Sequence, residues 1–168
     1  MHQTLFKGKP VKLSGHLPQL HMVAPSFVLV DKDLKERRLE EFHGKKKLIA
    51  TAPSLDTGTC SIMTKHFNEF GKKHPNEILI TISADLPFAQ KRFCETESVH
   101  NVLTLSMMRN KDFGMHWGLL VEDGPLAGLL ARSVFVLDEK NHILFVELVP
   151  EITQEPNYHA ALKLLGAH

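Results

Sequence analysis

Cys60 closes the run Pro53-Ser54-Leu55-Asp56-Thr57-Gly58-Thr59-Cys60, between a short apolar segment and an amphipathic one, and its sulfur is a candidate nucleophile. Lys47-Leu48-Ile49-Ala50-Thr51-Ala52 has the length and apolar character of a strand, and Pro53 ends it because proline cannot donate to a sheet ladder. Beyond it, Met63, Phe67 and Phe70 recur at i, i+4 and i+7 while Lys65, Asn68, Glu69 and Lys72 fall on other faces, which predicts a half-buried helix over 61–73. Cys60 therefore falls at the first turn, where unpartnered N–H groups and the positive end of the helix favour thiolate over thiol. Only a few per cent of an ordinary thiol is ionised at neutral pH, so complete ionisation gains about thirtyfold and no more. Fast chemistry needs donors aimed at charge developing on the substrate. The hydroxyl of Thr57 and a cation from elsewhere in the chain are the candidates. The competing reading of Cys60 is a small buried hydrophobe, a common fate of free cysteine.

Size and composition narrow the setting. A chain of 168 residues suits one domain, over 1–168, with a proper core. Its formal charge is +1 and its lysines and arginines are scattered among acids, which argues against nucleic acid as a partner. No apolar run approaches the roughly 20 residues that cross a bilayer, and the start Met1-His2-Gln3-Thr4-Leu5-Phe6-Lys7 lacks the apolar stretch of a secretory signal. The expectation is a cytoplasmic protein away from membranes. Two cysteines are too few for a disulfide framework and do not form Cys-x-x-Cys, so a disulfide here is expected to be catalytic or redox-sensing. None of the eleven histidines is paired at the i, i+4 spacing of helix-borne zinc ligands.

The elements that must position Cys60 follow from periodicity and turn residues. An N-terminal hairpin over 3–6 and 11–13, turned at Gly8, reads as an edge decoration. A strand is expected over 27–30, a helical turn over 39–42 ended by Gly44, and a central β-branched strand over 77–83. Asp85 reads as an N-cap and Pro87 as a first-turn residue of a helix that carries Cys94 late in its length. A strand over 102–105, a loosely periodic helix over 110–117 and a turn at Asp123-Gly124-Pro125 come next. Strands over 132–137 and 143–149 flank a polar turn as a hairpin, and Tyr158, Ala161, Leu162 and Leu165 trace a last helix. The order implies an α/β protein of thioredoxin-like architecture, a mixed central sheet with helices on both faces.

Three segments resemble one known family. They are the run 53–60 already quoted, Ser83-Ala84-Asp85-Leu86-Pro87-Phe88-Ala89-Gln90-Lys91-Arg92-Phe93-Cys94, and Asp123-Gly124-Pro125-Leu126-Ala127-Gly128-Leu129-Leu130-Ala131-Arg132. In order and spacing they are similar to the bacterial thiol peroxidases, an atypical two-cysteine branch of the peroxiredoxins, and the likeness runs from the N-terminal hairpin through Tyr158. The resemblance implies that Cys60 is the peroxidatic cysteine, with Pro53, Thr57 and Arg132 completing the site. Arg132 can donate to thiolate and peroxide oxygen together. Thr57 can accept from the peroxide and donate to the sulfur. Pro53 would wall the sulfur from bulk water. Each also has a plainer reading: surface cation, helix-start residue and strand terminator.

The same resemblance implies the cycle. Cys60 attacks hydrogen peroxide or an alkyl hydroperoxide and becomes a sulfenic acid, Cys94 of the same chain resolves it, and thioredoxin reduces the resulting disulfide. No metal, flavin or haem cofactor is called for, since sulfur carries the redox chemistry, and a homodimer is expected by analogy. Cysteines on separate helices are unsuited to bonding without local unwinding, because a disulfide needs Cβ atoms roughly 4 Å apart. Two positions depart from the family pattern: Ala52 is smaller than expected, and Thr59 stands where valine is more usual. They bear on pocket shape and the preference among alkyl groups. Two rivals stay open: a thioredoxin-like disulfide oxidoreductase, whose motif would put a cysteine where Thr57 stands, and a binding module that kept the fold and lost the reaction.

Overall fold

The central strands are buried at nearly every position, and their side chains alternate between two apolar layers with the sheet between them. A computed structural model describes residues 2–166. Strands β1 (Gln3–Phe6) and β2 (Lys9–Ser14) form the N-terminal hairpin; β3 (Val28–Asp31) and β4 (Glu36–Arg38) precede a 3₁₀ turn at Leu39–Phe42. Then β5 (Lys47–Thr51), α1 (Gly58–Lys73), β6 (Ile78–Ser83), α2 (Pro87–Thr96) and β7 (Leu103–Ser106) follow as two consecutive strand–helix–strand units. The chain continues through α3 (Asp112–His116), β8 (Leu120–Val121), β9 (Ser133–Leu137), β10 (Ile143–Leu148) and α4 (Tyr158–Leu165).

The seven-stranded sheet has the order β10-β9-β5-β6-β7-β3-β4. Its middle pairs, β5 with β6 and β6 with β7, are parallel, and the flanking pairs are antiparallel, so the sheet is mixed as expected. On one face Leu48, Ala50, Leu79, Val134 and Val136 pack with Met63 and Phe67 of α1, Phe93 and Cys94 of α2, and Ala161, Leu162 and Leu165 of α4. On the other face Ile49, Ile80, Ile82, Leu105, Phe135 and Leu137 pack with Phe113 and Trp117 beside α3 and with Leu39 and Phe42 of the 3₁₀ turn. A strand shows its side chains to alternate faces, and odd and even positions of β5 divide accordingly.

Helix α1 buries Cys60, Met63, Thr64, Phe67, Asn68 and Gly71, a stripe at i, i+3, i+4, i+7, i+8 and i+11. Gly71 is where the helix approaches most closely: a Cβ there would lie 2.8 Å from the Asn101 carbonyl oxygen and from Leu79 Cδ1. The helix starts at Gly58, three residues before the expected start at residue 61, because Thr57 caps it ahead of the first buried position.

The hairpin turns at Lys7 and Gly8, both with positive φ (51° and 80°), the conformation of a two-residue turn whose twist suits the strands it joins. It is more than a decoration. β2 pairs with β8 in a second, three-stranded sheet, Leu5 bridges to Glu151, and the turn amides of Lys7 and Gly8 donate to the Glu151 carboxylate. No helix among the described residues is long and apolar enough to cross a membrane.

Candidate active site

Cys60 is the third residue of α1, and its backbone N–H donates to Thr57 Oγ1 at 3.4 Å, a helix N-cap bond. The Thr57 hydroxyl in turn donates to the Ser54 carbonyl at 3.1 Å. In this arrangement its proton is directed at backbone rather than at the sulfur, and Thr57 shapes the turn. Pro53 is buried and Thr57 exposed, while Cys60 has no exposed surface.

Arg132 stands two residues before Val134, and pairing of Ala50 with Val134 and Thr51 with Ser133 carries its side chain to the same face as Ala50 and the start of α1. It is 1% exposed, far from the surface cation of the plainer reading. Its Nη2 donates to Cys60 Sγ at 3.1 Å, its Nη1 approaches Met63 Sδ at 3.7 Å, and its Nε donates to the Ile152 carbonyl at 2.8 Å. Among the described residues no carboxylate forms an ion pair with this guanidinium. The acceptors that face this buried cation are the Ile152 carbonyl, the Met63 sulfur and the Cys60 sulfur.

The segment that accepts from Arg132 is held by Glu151, which the sequence reading passed over. Its carboxylate accepts from the amides of Thr153, Gly8 and Lys7 and from the Thr153 hydroxyl. Those backbone donors, Thr153 first, bring its carboxyl down to about 2 from an ordinary 4.5. Thr59 Oγ1 also donates to the Thr153 carbonyl at 3.1 Å, a tie to the same segment that valine cannot make. The folded protein binds the ionised carboxylate, so Glu151 contributes fully above pH 4.5 and the contribution is lost as pH falls from 4.5 toward 2. Thermal unfolding of Glu151→Gln should accordingly show a lower midpoint than the parent at pH 7 and a gap that narrows through that window. A gap independent of pH would remove the ionised carboxylate from the account.

Cys94 is late in α2, buried, with its sulfur 3.8 Å from Thr104 Oγ1. Burial pushes its thiol up, and the Thr104 contact opposes this. Both cysteines are free, and both belong to the apolar layer beneath α1, α2 and α4. One thiol thus has a cation at hydrogen-bond distance and the other is kept neutral.

Asp85 does not cap α2. Leu86 holds the N-cap position without a side-chain bond, and the Asp85 carboxylate turns instead to the loop before Cys60. It accepts from Ser54 Oγ at 2.7 Å, from the Leu55 amide at 2.7 Å and from Ser83 Oγ at 2.8 Å. The signal for it was a carboxylate directly after a central strand, a place that serves a neighbouring loop as readily as the next helix.

Comparison with known proteins bears on the family and the fold. The Redoxin family model matches residues 19–162. The chain is 44% identical, over 169 residues and 99% of each chain, to a thiol peroxidase of Leptospira interrogans serogroup Icterohaemorrhagiae serovar copenhageni. It superposes on a peroxiredoxin-like protein from Aquifex aeolicus with a TM-score of 0.92 and 40% identity, over 98% of this chain and 96% of that one. On a thiol peroxidase from Chromobacterium violaceum the TM-score is 0.90 at 26% identity, over 97% and 94%.

Proposed function

This chain belongs to the Redoxin family, as a thiol peroxidase of the peroxiredoxin kind, and from that premise we propose that Cys60 is its peroxidatic cysteine and Cys94 its resolving one. The observation that supports the first role most directly is the buried Arg132 guanidinium donating to Cys60 Sγ at 3.1 Å. The Cys60 thiolate attacks the terminal oxygen of hydrogen peroxide or an alkyl hydroperoxide. An S–O bond forms as the O–O bond breaks, the sulfur loses two electrons, and the departing oxygen takes a proton to leave as water or alcohol. Arg132 serves both ends of this transfer, keeping the sulfur anionic and offering N–H to a peroxide oxygen as charge develops on it. Thr57 and Pro53 act by fixing the turn that presents the sulfur.

Cys94 then displaces hydroxide from the sulfenic acid, releasing water and closing a Cys60–Cys94 disulfide within the chain. Cys94 is buried on α2, so that step requires the helix to open. A bond formed against the folded arrangement is readily reduced, which suits thioredoxin as the electron donor. The setting is a cytoplasm that keeps both thiols reduced between turnovers. Leu86 and Phe88, exposed at the start of α2, offer apolar surface for a homodimer.

The test is mass spectrometry after one equivalent of hydrogen peroxide. The parent chain should lose two mass units as a single intrachain Cys60–Cys94 bridge, and Cys94→Ser should gain one oxygen at Cys60 and then stall in a thioredoxin-coupled assay. Steady turnover by Cys94→Ser with thioredoxin would overturn the resolving role, and a parent chain inert to peroxide would overturn the peroxidatic one.

A further inference from the structure

Resting on that reading, we propose that Asp85 is a positioning residue that clasps the Cys60 loop to the helix of Cys94, so that it favours peroxide attack and restrains disulfide closure. The clasp has two sides. Toward the loop, the Asp85 carboxylate accepts from Ser54 Oγ and the Leu55 amide, both at 2.7 Å. Ser54 is the residue whose carbonyl accepts from Thr57, and whose Oγ accepts from the Asp56 amide at 3.1 Å, so the turn that caps α1 is built on an atom set Asp85 holds. Toward the helix, Asp85 accepts from Ser83 Oγ at 2.8 Å, and that oxygen accepts from Gln90 Nε2 at 3.1 Å. Gln90 is buried and precedes Cys94 by four residues, one turn earlier on the same face of α2, and it donates also to the Leu105 carbonyl at 2.9 Å. A second anchor fixes the clasp itself, since Ser106 Oγ donates to the Asp85 carbonyl at 2.6 Å.

A run of hydrogen bonds thus leads from the first turn of one cysteine's helix to the turn before the other cysteine. Bonds to a carboxylate are about twice as strong as neutral ones, so this junction resists separation of the Cys60 loop from the start of α2. Peroxide attack benefits from stiffness, because misplacement of a reacting group by about 1 Å can cost on the order of a hundredfold in rate. Closing the disulfide demands the opposite, since α2 must open to bring Cys94 out of its buried position. The two steps should respond to loss of Asp85 with opposite signs.

The experiment is rapid chemical quench of the pre-reduced full-length chain mixed with hydrogen peroxide. Sulfenic acid is trapped with dimedone and disulfide is counted by mass, in the parent, Asp85→Ala and Asp85→Asn. Asp85→Ala should slow sulfenic acid formation by about tenfold or more and speed its conversion to disulfide severalfold. Asp85→Asn keeps one acceptor oxygen and should fall between. If Asp85→Ala does not fold, Asp85→Asn is judged by the same opposed signs. Formation of sulfenic acid at the parent rate, or slowing of both steps together, would overturn the clasp. A parent chain that fails to react would overturn the proposed function instead, so the two failures are told apart in one set of traces.

Discussion

Cys60→Ser is expected to abolish peroxide turnover, by on the order of 10⁵-fold or more, while leaving the fold intact. The substitution is nearly isosteric, and the serine keeps the backbone N–H that Thr57 caps. Its hydroxyl can accept from Arg132 where the sulfur did but carries no charge, so the protein should still fold with a lowered unfolding midpoint, the buried guanidinium having lost its anionic partner. Chemistry fails for two separate reasons. An alcohol is not ionised at neutral pH even beside a cation, and oxygen cannot accept a peroxide oxygen to give an analogue of the sulfenic acid. Cys94 cannot substitute, since burial pushes its thiol up and its sulfur meets the Thr104 hydroxyl where Cys60 meets a guanidinium. A coupled assay with thioredoxin, thioredoxin reductase and hydrogen peroxide, alongside thermal unfolding, checks both halves. Measurable peroxide-dependent turnover by a folded Cys60→Ser protein would remove Cys60 from the centre of the mechanism.

What the sequence disclosed and what it hid divide along the line between local and non-local order. The strand–helix–strand unit around Cys60 was legible because a strand period, a breaking proline and a helical stripe are each written within a few residues. The helix start was misjudged by three residues because Thr57 acts through a capping bond, which adds turns that carry no apolar signal. Strands β4 and β8, three and two residues long, are too short to show any period, yet β8 is what makes the N-terminal hairpin part of a sheet. Asp85 fits a local rule for helix capping, but a neighbouring loop with two unpaired donors competes for its oxygens and wins. Types alone singled out Arg132 through family likeness. Its burial follows from the register of β9 against β5, a pairing between segments some 80 residues apart that no window of sequence contains.

That register also explains why charge alone is an insufficient account of Arg132, and Arg132→Lys separates charge from shape. The guanidinium uses three nitrogens in three directions: Nη2 to the Cys60 sulfur, Nη1 to the Met63 sulfur and Nε to the Ile152 carbonyl. The Nε bond, made to a segment fastened by Glu151, sets the plane of the fork, and the plane aims Nη2. An ammonium has one nitrogen on a flexible stem, so it can serve the carbonyl or the sulfur but cannot be oriented by one while serving the other. Removing one preorganised donor from a developing oxyanion typically costs 10²–10³ in rate, and Arg132→Lys should lose about that much in the second-order rate constant for sulfenic acid formation. Arg132→Met, which fills similar space without charge, should lose more, because the sulfur is then left without any cation and the Ile152 carbonyl without its donor. Competition against a peroxidase of known rate measures both variants. A lysine variant within a fewfold of the parent would show that a nearby positive charge suffices and that the fork is incidental. A lysine variant as impaired as the methionine one would show that orientation accounts for the whole effect.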